Sequence, residues 1–243
     1  MSLNEKVISL DQATERLRDG MTIAIGGFAG VGGPLCCIER IARSGVKDLT
    51  LICVANSNPF GAWGKFDIAP LFTNRQVRKF ITSHNGTNPE AVEQSRKGEL
   101  EVEFFPMGTW IEKLRAGGAG LGGVLTPTGV GTPVEEGKQK LVIKGKEYLL
   151  EVALRADLAI IKGFRADRMG NIEYRRVAAN TNPILAAAAD FTIAEVNAIV
   201  EVGELEPERV GTPCVFVKAL VQGLTLPEQE QAYEELKIGR AHV

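Results

Sequence analysis

The chain of 243 residues contains 44% hydrophobic and 24% charged residues, which is the balance of an ordinary globular domain. Its formal net charge of -2 argues against nucleic acid as a partner. No apolar run approaches the length of a membrane span, and residues 1–6 are too polar for the core of a signal peptide, so we expect a cytoplasmic protein with no membrane partner.

The first half of the sequence predicts short strands that alternate with helices. Ser9 and Gln12 have the spacing of a capping box, which indicates a helix over residues 10–18. Apolar runs with β-branched residues predict four strands, at residues 21–25, 49–54, 78–82 and 101–105. The apolar spacing and caps predict helices between and after them, at residues 34–44, 88–97 and 109–116. This alternation is typical of βαβ crossovers and predicts an α/β fold, an open, mostly parallel sheet with helices on both faces.

The composition changes between residues 117 and 137, where glycine, threonine and proline dominate. We interpret this stretch as a glycine-rich flap over a site rather than a linker, because apolar residues recur along it. Its candidate residues are Gly117, Gly118, Gly120, Thr128 and Gly129. The helix before it is expected to begin at a capping box formed by Thr109 and Glu112.

The second half predicts a small β-hairpin over residues 141–150 and a return to the sheet. Further strands are expected at residues 158–161, 191–196 and 212–217, with a helix over 182–188. We divide the chain into a domain of residues 1–223 and a polar, solvated helical tail of residues 224–243. Residues 238–243 match the translation of a sequencing adapter, and we assign them no function.

The stretch of residues 19–34 reads D-G-M-T-I-A-I-G-G-F-A-G-V-G-G-P, a buried strand followed by a glycine loop and a helix start. Unpaired backbone N–H groups converge at such a junction and favour an anion or oxyanion site. The spacing is not the dinucleotide-binding fingerprint, because Leu35 stands where the third glycine belongs, and the lysine and hydroxyl of a P-loop are missing. An ordinary tight turn in another Rossmann-like domain is the alternative.

Residues 19–34 also resemble, at every specified position, the α-subunit signature of family I coenzyme A transferases. The similarity extends over about residues 5–222, through stretches at 83–89, 98–102, 115–120, 126–132 and 165–171. It is strongest to the α subunits of bacterial acetate or acetoacetate CoA-transferases. The resemblance implies exchange of CoA between an acyl-CoA and a short-chain carboxylate or 3-oxoacid. It also implies that coenzyme A thioesters are substrates and that no cofactor is permanently bound.

The resemblance places the catalytic glutamate on a partner. In this family the nucleophile lies in the β subunit, within a Ser-Glu-Asn-Gly motif that this chain lacks. Glu135 and Glu136, next to the flap, are local candidates, but adjacent glutamates before a glycine are more typical of a solvated turn. The chain is therefore expected to be half of an enzyme that works with a β subunit, in an α2β2 assembly.

The resemblance also gives this half a role as the oxyanion and substrate wall, at the carboxyl ends of the strands. Its candidate residues are Gly26, Gly27, Phe28, Gly30, Gly32, Asn56, Met107 and Gly108. The family commonly has glutamine at the position of Met107, in a Pro-Gln-Gly-Thr turn, and methionine cannot donate a hydrogen bond. Three explanations stay open: a backbone N–H such as that of Gly108 replaces it, the pocket suits a more apolar substrate, or activity is weak.

Several other residues have a structural and a functional interpretation. We interpret His84 as a structural, hydrogen-bonded residue, because the transferase mechanism needs no imidazole. Aromatic residues within 53–67 are either local core or substrate and partner contacts. Cys36 and Cys37 are expected to pack as small apolar groups, and without a C-x-x-C spacing we predict neither disulfides nor a metal site. Four arginines have two interpretations, either a solvated or intersubunit face or contacts with CoA phosphates. They are Arg165, Arg168, Arg175 and Arg176.

Two functions of other classes compete with the transferase. A non-catalytic relative that binds an acyl or sugar-phosphate effector is one alternative, because this architecture also serves as a sensor. A sugar-phosphate isomerase is a weaker one, since such an enzyme needs its own acid and base in this chain.

Overall fold

The computed structural model describes residues 6–54 and 68–238, with side chains described to residue 234. The strands are β1 Val7–Ile8, β2 Thr22–Ile25, β3 Leu49–Ile52, β4 Val77–Thr82, β5 Glu101–Phe104, β6 Gly123–Thr126, β7 Lys140–Ile143, β8 Lys146–Val152, β9 Ala156–Asp167, β10 Ile172–Glu173, β11 Ala189–Val200, β12 Val210–Thr212 and β13 Ala219–Gln222. The α-helices are α1 Leu10–Thr14, α2 Leu35–Ser44, α3 Ala69–Thr73, α4 Pro89–Arg96, α5 Met107–Gly118, α6 Asn182–Ala187 and α7 Leu226–Ile238.

The main sheet has the order β1-β13-β11-β9-β2-β3-β4-β5, and every neighbouring pair on this path is parallel. Only β10, which pairs with β9 and β12, runs antiparallel within it. The predicted open, mostly parallel sheet is confirmed. In this order, the two halves of the chain meet where β2 pairs with β9. The glycine loop after β2 begins beside the middle of β9, where the Gly26 N–H donates to the Ile160 carbonyl at 2.9 Å.

Each face of the sheet carries its own hydrophobic core. One core includes Ile38 and Ile41 of α2 and Phe80 of β4, and the other includes Trp110 of α5 and Leu185 of α6. Strands covered on both faces need apolar side chains at successive positions, which explains the continuous apolar runs in the sequence. The predicted helices on both faces are therefore confirmed.

A second, antiparallel sheet of order β6-β8-β7 contains the predicted hairpin. The turn between β7 and β8 is Lys144-Gly145, and both residues have the positive φ that tight two-residue hairpin turns require. Glu151 of β8, which is 1% exposed, fixes this sheet to α5 through an ion pair of 3.1 Å with Lys113. Lys138 pairs with the same carboxylate at 2.5 Å.

The prediction that α5 begins at a Thr109 capping box is wrong. The helix begins at Met107 with Pro106 as its N-cap, and the side chain of Thr109 is buried within the first turn. The spacing of Thr109 and Glu112 predicted a start that is two residues too late, because the helix follows β5 almost directly. The N–H of Trp110 donates the first helical hydrogen bond to the Pro106 carbonyl at 2.9 Å.

The assignment of Gly117 and Gly118 to the flap is also wrong, because both lie in the last turn of α5. A Cβ at Gly117 would lie 2.1 Å from the Leu154 carbonyl oxygen, and one at Gly118 would lie 2.9 Å from Cβ of Ala187. These glycines allow close packing rather than loop flexibility. The Gly120 residue, with φ of +72, belongs to the turn that ends the helix.

The last strand lies later than predicted. Residues 213–217 form turns, in which the Phe216 N–H donates to the Pro213 carbonyl at 3.2 Å, and the final strand is β13. Proline at 213 has no N–H for a strand ladder, which explains why β12 ends at Thr212. The opening helix is likewise shorter than predicted, because α1 ends at Thr14. Within the two described ranges, no helix is long and apolar enough to cross a membrane.

Residues 226–238 of the polar tail are helical, as predicted, but one side of α7 contacts the glycine loop. The Tyr233 hydroxyl donates to the Gly30 carbonyl at 2.6 Å. Closer to the start of the helix, the Asn197 side chain donates to Gln229 at 2.7 Å. The helix is therefore docked on the sheet edge that carries the candidate site.

Candidate active site wall

The glycine loop after β2 folds back on itself. Phe28 and Val31 exchange two backbone hydrogen bonds, each of 2.9 Å. Gly27 has φ of +113, and a Cβ there would lie 3.1 Å from the Gly33 backbone. Only glycine satisfies both conditions, which explains the signature residue at this position.

A polar segment at the start of α6 holds the loop in place. The Asn182 amide donates to the Gly32 carbonyl at 3.0 Å, and the Asn180 amide donates to the Val31 carbonyl at 2.9 Å. Gly26 must be glycine, because a Cβ there would lie 1.8 Å from Oδ1 of Asn182. Our sequence reasoning missed these residues. The signal was available in the Asn-Thr-Asn-Pro sequence of residues 180–183, which we used only to place a helix.

The chain's own Glu195 fills the first turn of α2. Its carboxylate accepts a hydrogen bond of 2.9 Å from the Cys37 N–H and is buried. Burial raises the pKa of Glu195, while the charge of Lys162 and the bonds from Cys37 and Cys36 lower it. The carboxylate of Glu195 thus occupies the anion site that we predicted at the start of α2. A ligand at this end of the wall would therefore contact the glycine loop and not the helix N-terminus.

The outer part of the loop faces solvent. The Phe28 side chain is 44% exposed, although it is large and apolar. Across residues 6–54 and 68–238, the structure shows no hydrogen-bond partner for the N–H groups of Ala29, Gly30 and Gly32. Gly30 and Gly32 are buried, so the exposed part of the loop consists mainly of the apolar side chains of Phe28 and Val31.

The turn after β5 forms the other end of the wall. Met107 is 39% exposed, and its sulfur accepts a hydrogen bond of 3.3 Å from the Ser83 hydroxyl after β4. No side chain caps α5, so in the described structure the N–H groups of Met107, Gly108 and Thr109 lack an acceptor. The buried Thr109 hydroxyl also lacks a partner among the described residues.

The start of α5 lines a cavity of about 410 Å³, which it shares with β6 and the loop that follows. The lining residues are Pro106, Gly108, Thr109, Glu112, Val124, Leu125, Thr126 and Thr128. The structure thus brings the flap residue Thr128 together with Gly108. Gly129, with φ of +95, packs against Val134 in the same loop.

The predicted wall has two separated ends. Strands β3 and β4 lie between β2 and β5, so three strand spacings, about 14 Å, separate the glycine loop from the turn at Met107. Asn56 and the aromatic residues of 55–67 lie outside the described residues. Within the residues that the structure covers, no three His, Cys, Asp or Glu side chains come together to hold a metal ion.

The secondary candidates have local partners. Glu135 pairs with Lys140 at 2.8 Å, in keeping with a solvated turn. The arginines Arg165, Arg168 and Arg175 pair with Glu173, Glu201 and Glu230 at 2.6, 2.7 and 3.4 Å. Burial, with a smaller effect of the Glu195 charge, raises the pKa of the Cys36 thiol to about 11. Cys37 packs in the core, as we expected of a small apolar group.

Comparison with known proteins decides the family. Residues 7–223 match the family model described as Coenzyme A transferase. The chain belongs to the coenzyme A transferase family. It is 50% identical over 219 residues to the acetate CoA-transferase subunit alpha of Escherichia coli K12, covering 90% of this chain and 97% of that protein. It is 43% identical to the acetoacetyl-CoA:acetate/butyrate CoA transferase alpha subunit of Clostridium acetobutylicum, over 90% of this chain and 99% of that one.

Solved structures share the CoA-transferase fold. An acyl-CoA transferase from E. coli O157:H7 matches with a TM-score of 0.80 and 20% identity over 92% of this chain, which spans 48% of that protein's length. Glutaconate coenzyme A-transferase from Acidaminococcus fermentans matches with a TM-score of 0.76 and 21% identity, over 90% of this chain and 76% of that one. These likenesses show the fold alone. The sequence relatives are named alpha or A subunits, which implies a complementary subunit for this CoA-transferase chain as well.

Proposed function

We propose that this chain is the α subunit of an α2β2 CoA-transferase that exchanges CoA between an acyl-CoA and a short-chain carboxylate or 3-oxoacid. The observation that carries the proposal is the wall itself, which exposes Phe28 and Met107, the latter beside the unpaired N–H groups at the start of α5. The sequence also lacks the Ser-Glu-Asn-Gly motif that holds the family's nucleophile. Such a wall becomes an enclosed site only when a second subunit covers it. The names of the relatives that act on acetate and acetoacetyl-CoA support this substrate class.

The reaction needs a carboxylate on the partner subunit. That carboxylate attacks the thioester carbonyl carbon of the acyl-CoA, the CoA thiolate leaves, and a mixed anhydride forms. The thiolate then attacks the glutamyl carbonyl of the anhydride, which releases the first acid and leaves a glutamyl-CoA thioester. A second carboxylate reverses the steps and takes CoA away. Each tetrahedral intermediate carries an oxyanion that hydrogen-bond donors must stabilise.

We infer that the N-terminus of α5 supplies donors for one of these oxyanions. The thioether of Met107 cannot donate, and it already accepts from Ser83. The neighbouring N–H groups of Gly108 and Thr109 lack acceptors in the described structure and lie at the positive end of a 12-residue helix. They also border the 410 Å³ cavity, where an acyl group has room.

A matched pair of variants at Gly108 tests this role. Gly108→Pro removes the N–H, whereas Gly108→Ala keeps it and meets no atom within 4 Å. Proline suits the second position of a helix, where this chain already has it in α3 and α6. In the complex with the partner subunit, we expect Gly108→Pro to lower kcat about 100-fold or more, and Gly108→Ala to change it little.

Met107→Gln completes the experiment. If backbone donors stabilise the oxyanion, Met107→Gln changes kcat by less than about threefold, well below the effect expected for a missing oxyanion donor. A large gain in kcat from Met107→Gln, together with an active Gly108→Pro complex, would contradict the role of the α5 N-terminus. A stable complex that is inactive on all short acids would instead favour the non-catalytic binding alternative.

A further inference from the structure

The second sheet, of order β6-β8-β7, has the reverse of the usual polarity. An antiparallel sheet with one face on the core normally turns apolar side chains inward and polar ones toward water. Here the inner face, which packs on α5, includes buried Glu151 in its ion pair with Lys113. Because side chains alternate along a strand, the opposite face of β8 carries Tyr148, Leu150 and Val152. The apolar side chains of this strand therefore point mainly outward.

The two neighbouring strands continue this outward apolar face. The register places Leu125 of β6 opposite Leu150, and Leu141 of β7 opposite Tyr148. Residues that are directly opposite in a sheet share a face, and so do residues two positions apart in one strand. We call the resulting surface the outer face, and its apolar residues are Leu125, Leu141, Ile143, Tyr148, Leu150 and Val152.

The outer face is uncovered in the single chain. Val152, Ile143 and Leu125 are 64%, 42% and 40% exposed. Both carboxylates of the three strands, Glu147 and Glu151, lie on the inner face, which leaves Lys146 as the charged residue of the outer one. A contiguous exposed apolar surface of this kind marks a site of protein association.

The outer face is continuous with the proposed transfer site. Leu125 belongs to the outer face and also lines the 410 Å³ cavity, together with Gly108 of α5. A chain that covers this cavity therefore reaches the outer face at Leu125 without crossing a polar surface. In the proposed function, that chain is the complementary subunit.

The charges at the edge of the outer face distinguish between two occupants. Lys138 and Lys140 pair with Glu151 and Glu135, whereas no ion pair among the described residues includes Lys144 or Lys146. In a two-fold dimer the same surface meets itself, so a second copy would bring these lysines together and supply no carboxylate from its own outer face. A different chain with carboxylates beside an apolar patch suits the surface better.

We propose that the outer face docks the complementary subunit, through an apolar patch with carboxylates placed opposite Lys144 and Lys146. The inference rests on the proposed function in one respect, because it takes the subunit that covers the transfer wall as the occupant. Ile143 and Val152 line neither end of that wall, so they contribute to the affinity between the subunits rather than to the chemistry.

Neighbouring valine and isoleucine residues in the hairpin provide a matched test. Ile143→Glu and Val152→Glu alter the outer face, whereas Val142→Glu alters an adjacent residue that is 67% exposed and lies on the inner face. We measure the affinity of each variant for the immobilised complementary subunit. The two outer-face variants are expected to weaken binding about tenfold or more, and Val142→Glu to change it less than about twofold. At saturating concentrations of the subunits, kcat is expected to stay unchanged in all three, and equal urea midpoints verify that they are folded.

The double variant Lys144→Glu with Lys146→Glu tests the charge of the partner. We expect its association rate to fall about tenfold at about 50 mM salt, and the difference to shrink at about 500 mM, where exposed charges are screened. Association that is equally fast in the wild type and in this variant would overturn the choice of an acidic partner surface.

The remaining outcomes separate this inference from the proposed function. An unchanged affinity in folded Ile143→Glu and Val152→Glu would overturn the docking surface and leave the proposed function intact. An equal loss in Val142→Glu would also overturn it, because the effect would not belong to the outer face. A wild-type chain that binds no complementary subunit would overturn both. A dimer of this chain alone that Val152→Glu dissociates, measured by light scattering, would assign the outer face to a second copy instead.

Discussion

At the residue scale, the glycine loop is shaped by side chains from a distant part of the chain. Gly26 and Gly27 were recognised from their signature, and the structure shows which neighbouring atoms each glycine allows to come close. Gly26 makes room for Asn182, which lies 156 positions further along, so its role is invisible to reasoning from local sequence. Asn182 in turn connects the loop to β9 through the Lys162 N–H.

Gly26→Ala therefore removes a specific network rather than only adding a methyl group. The new Cβ would lie 1.8 Å from Oδ1 of Asn182 and would displace the amide from its partners. We expect the free energy of unfolding to fall by about 2–4 kcal/mol, as overpacking adds to lost buried hydrogen bonds. Urea unfolding of Gly26→Ala beside Gly122→Ala, whose Cβ meets open space, measures this effect. Equal stability of the two variants would contradict the assigned contact.

The vicinal cysteines make a prediction about reactivity. Burial, and then the nearby Glu195 charge, raise the pKa of the Cys36 thiol to about 11 and that of Cys37 well above its usual range. Because only the thiolate reacts, alkylation of Cys36 should increase about tenfold per pH unit between pH 8 and pH 10. Mass spectrometry of iodoacetamide-treated protein measures these rates, with urea-unfolded chain as the control. A rate that levels off near pH 9 in the folded protein would disagree with this account.

At the element scale, the buried strands β2 to β5 and the hairpin were predictable, but β6 within the flap stretch, the last strand and the boundaries around α5 were not. Buried parallel strands are continuous apolar runs, and Lys144-Gly145 between two such runs is a local turn signal. The start of α5 is set by Pro106, whereas the capping-box spacing of Thr109 and Glu112 predicted a later start. Gly117 and Gly118 resemble loop residues in sequence, but they form the end of α5, where Leu154 and Ala187 leave no room for a Cβ.

The link between α5 and the second sheet makes a prediction of its own. Glu151 is buried and carries the pairs to Lys113 and Lys138, which both lie over the Phe105 ring, at 4.4 and 5.1 Å from its centre. Glu151→Gln leaves two ammonium groups without a counter-charge, so we expect a loss of about 3–5 kcal/mol in the free energy of unfolding. Glu112→Gln, in an exposed pair with Arg115, is the matched control and should change stability little. Similar urea midpoints for both variants would exclude the proposed role of Glu151.

At the scale of the whole molecule, the sequence predicts the class of sheet but not the order of its strands. Pairing of β2 with β9 joins positions more than 130 residues apart, and no local pattern specifies it. That pairing places the glycine loop, one end of the wall, beside β9 in the middle of the sheet. It also leaves the wall exposed at one edge of the molecule, which is the main reason for expecting a second subunit.

The measurement that tests this account most directly is the intact mass of each chain in the assembled complex. The complex is incubated with acetoacetyl-CoA in the absence of an acceptor acid, so that acetoacetate is released and the covalent intermediate accumulates. We predict that the partner subunit gains the mass of one CoA less one water, as a glutamyl-CoA thioester, while the mass of this chain is unchanged. A CoA adduct on this chain would contradict the conclusion that it supplies the wall and the partner supplies the nucleophile.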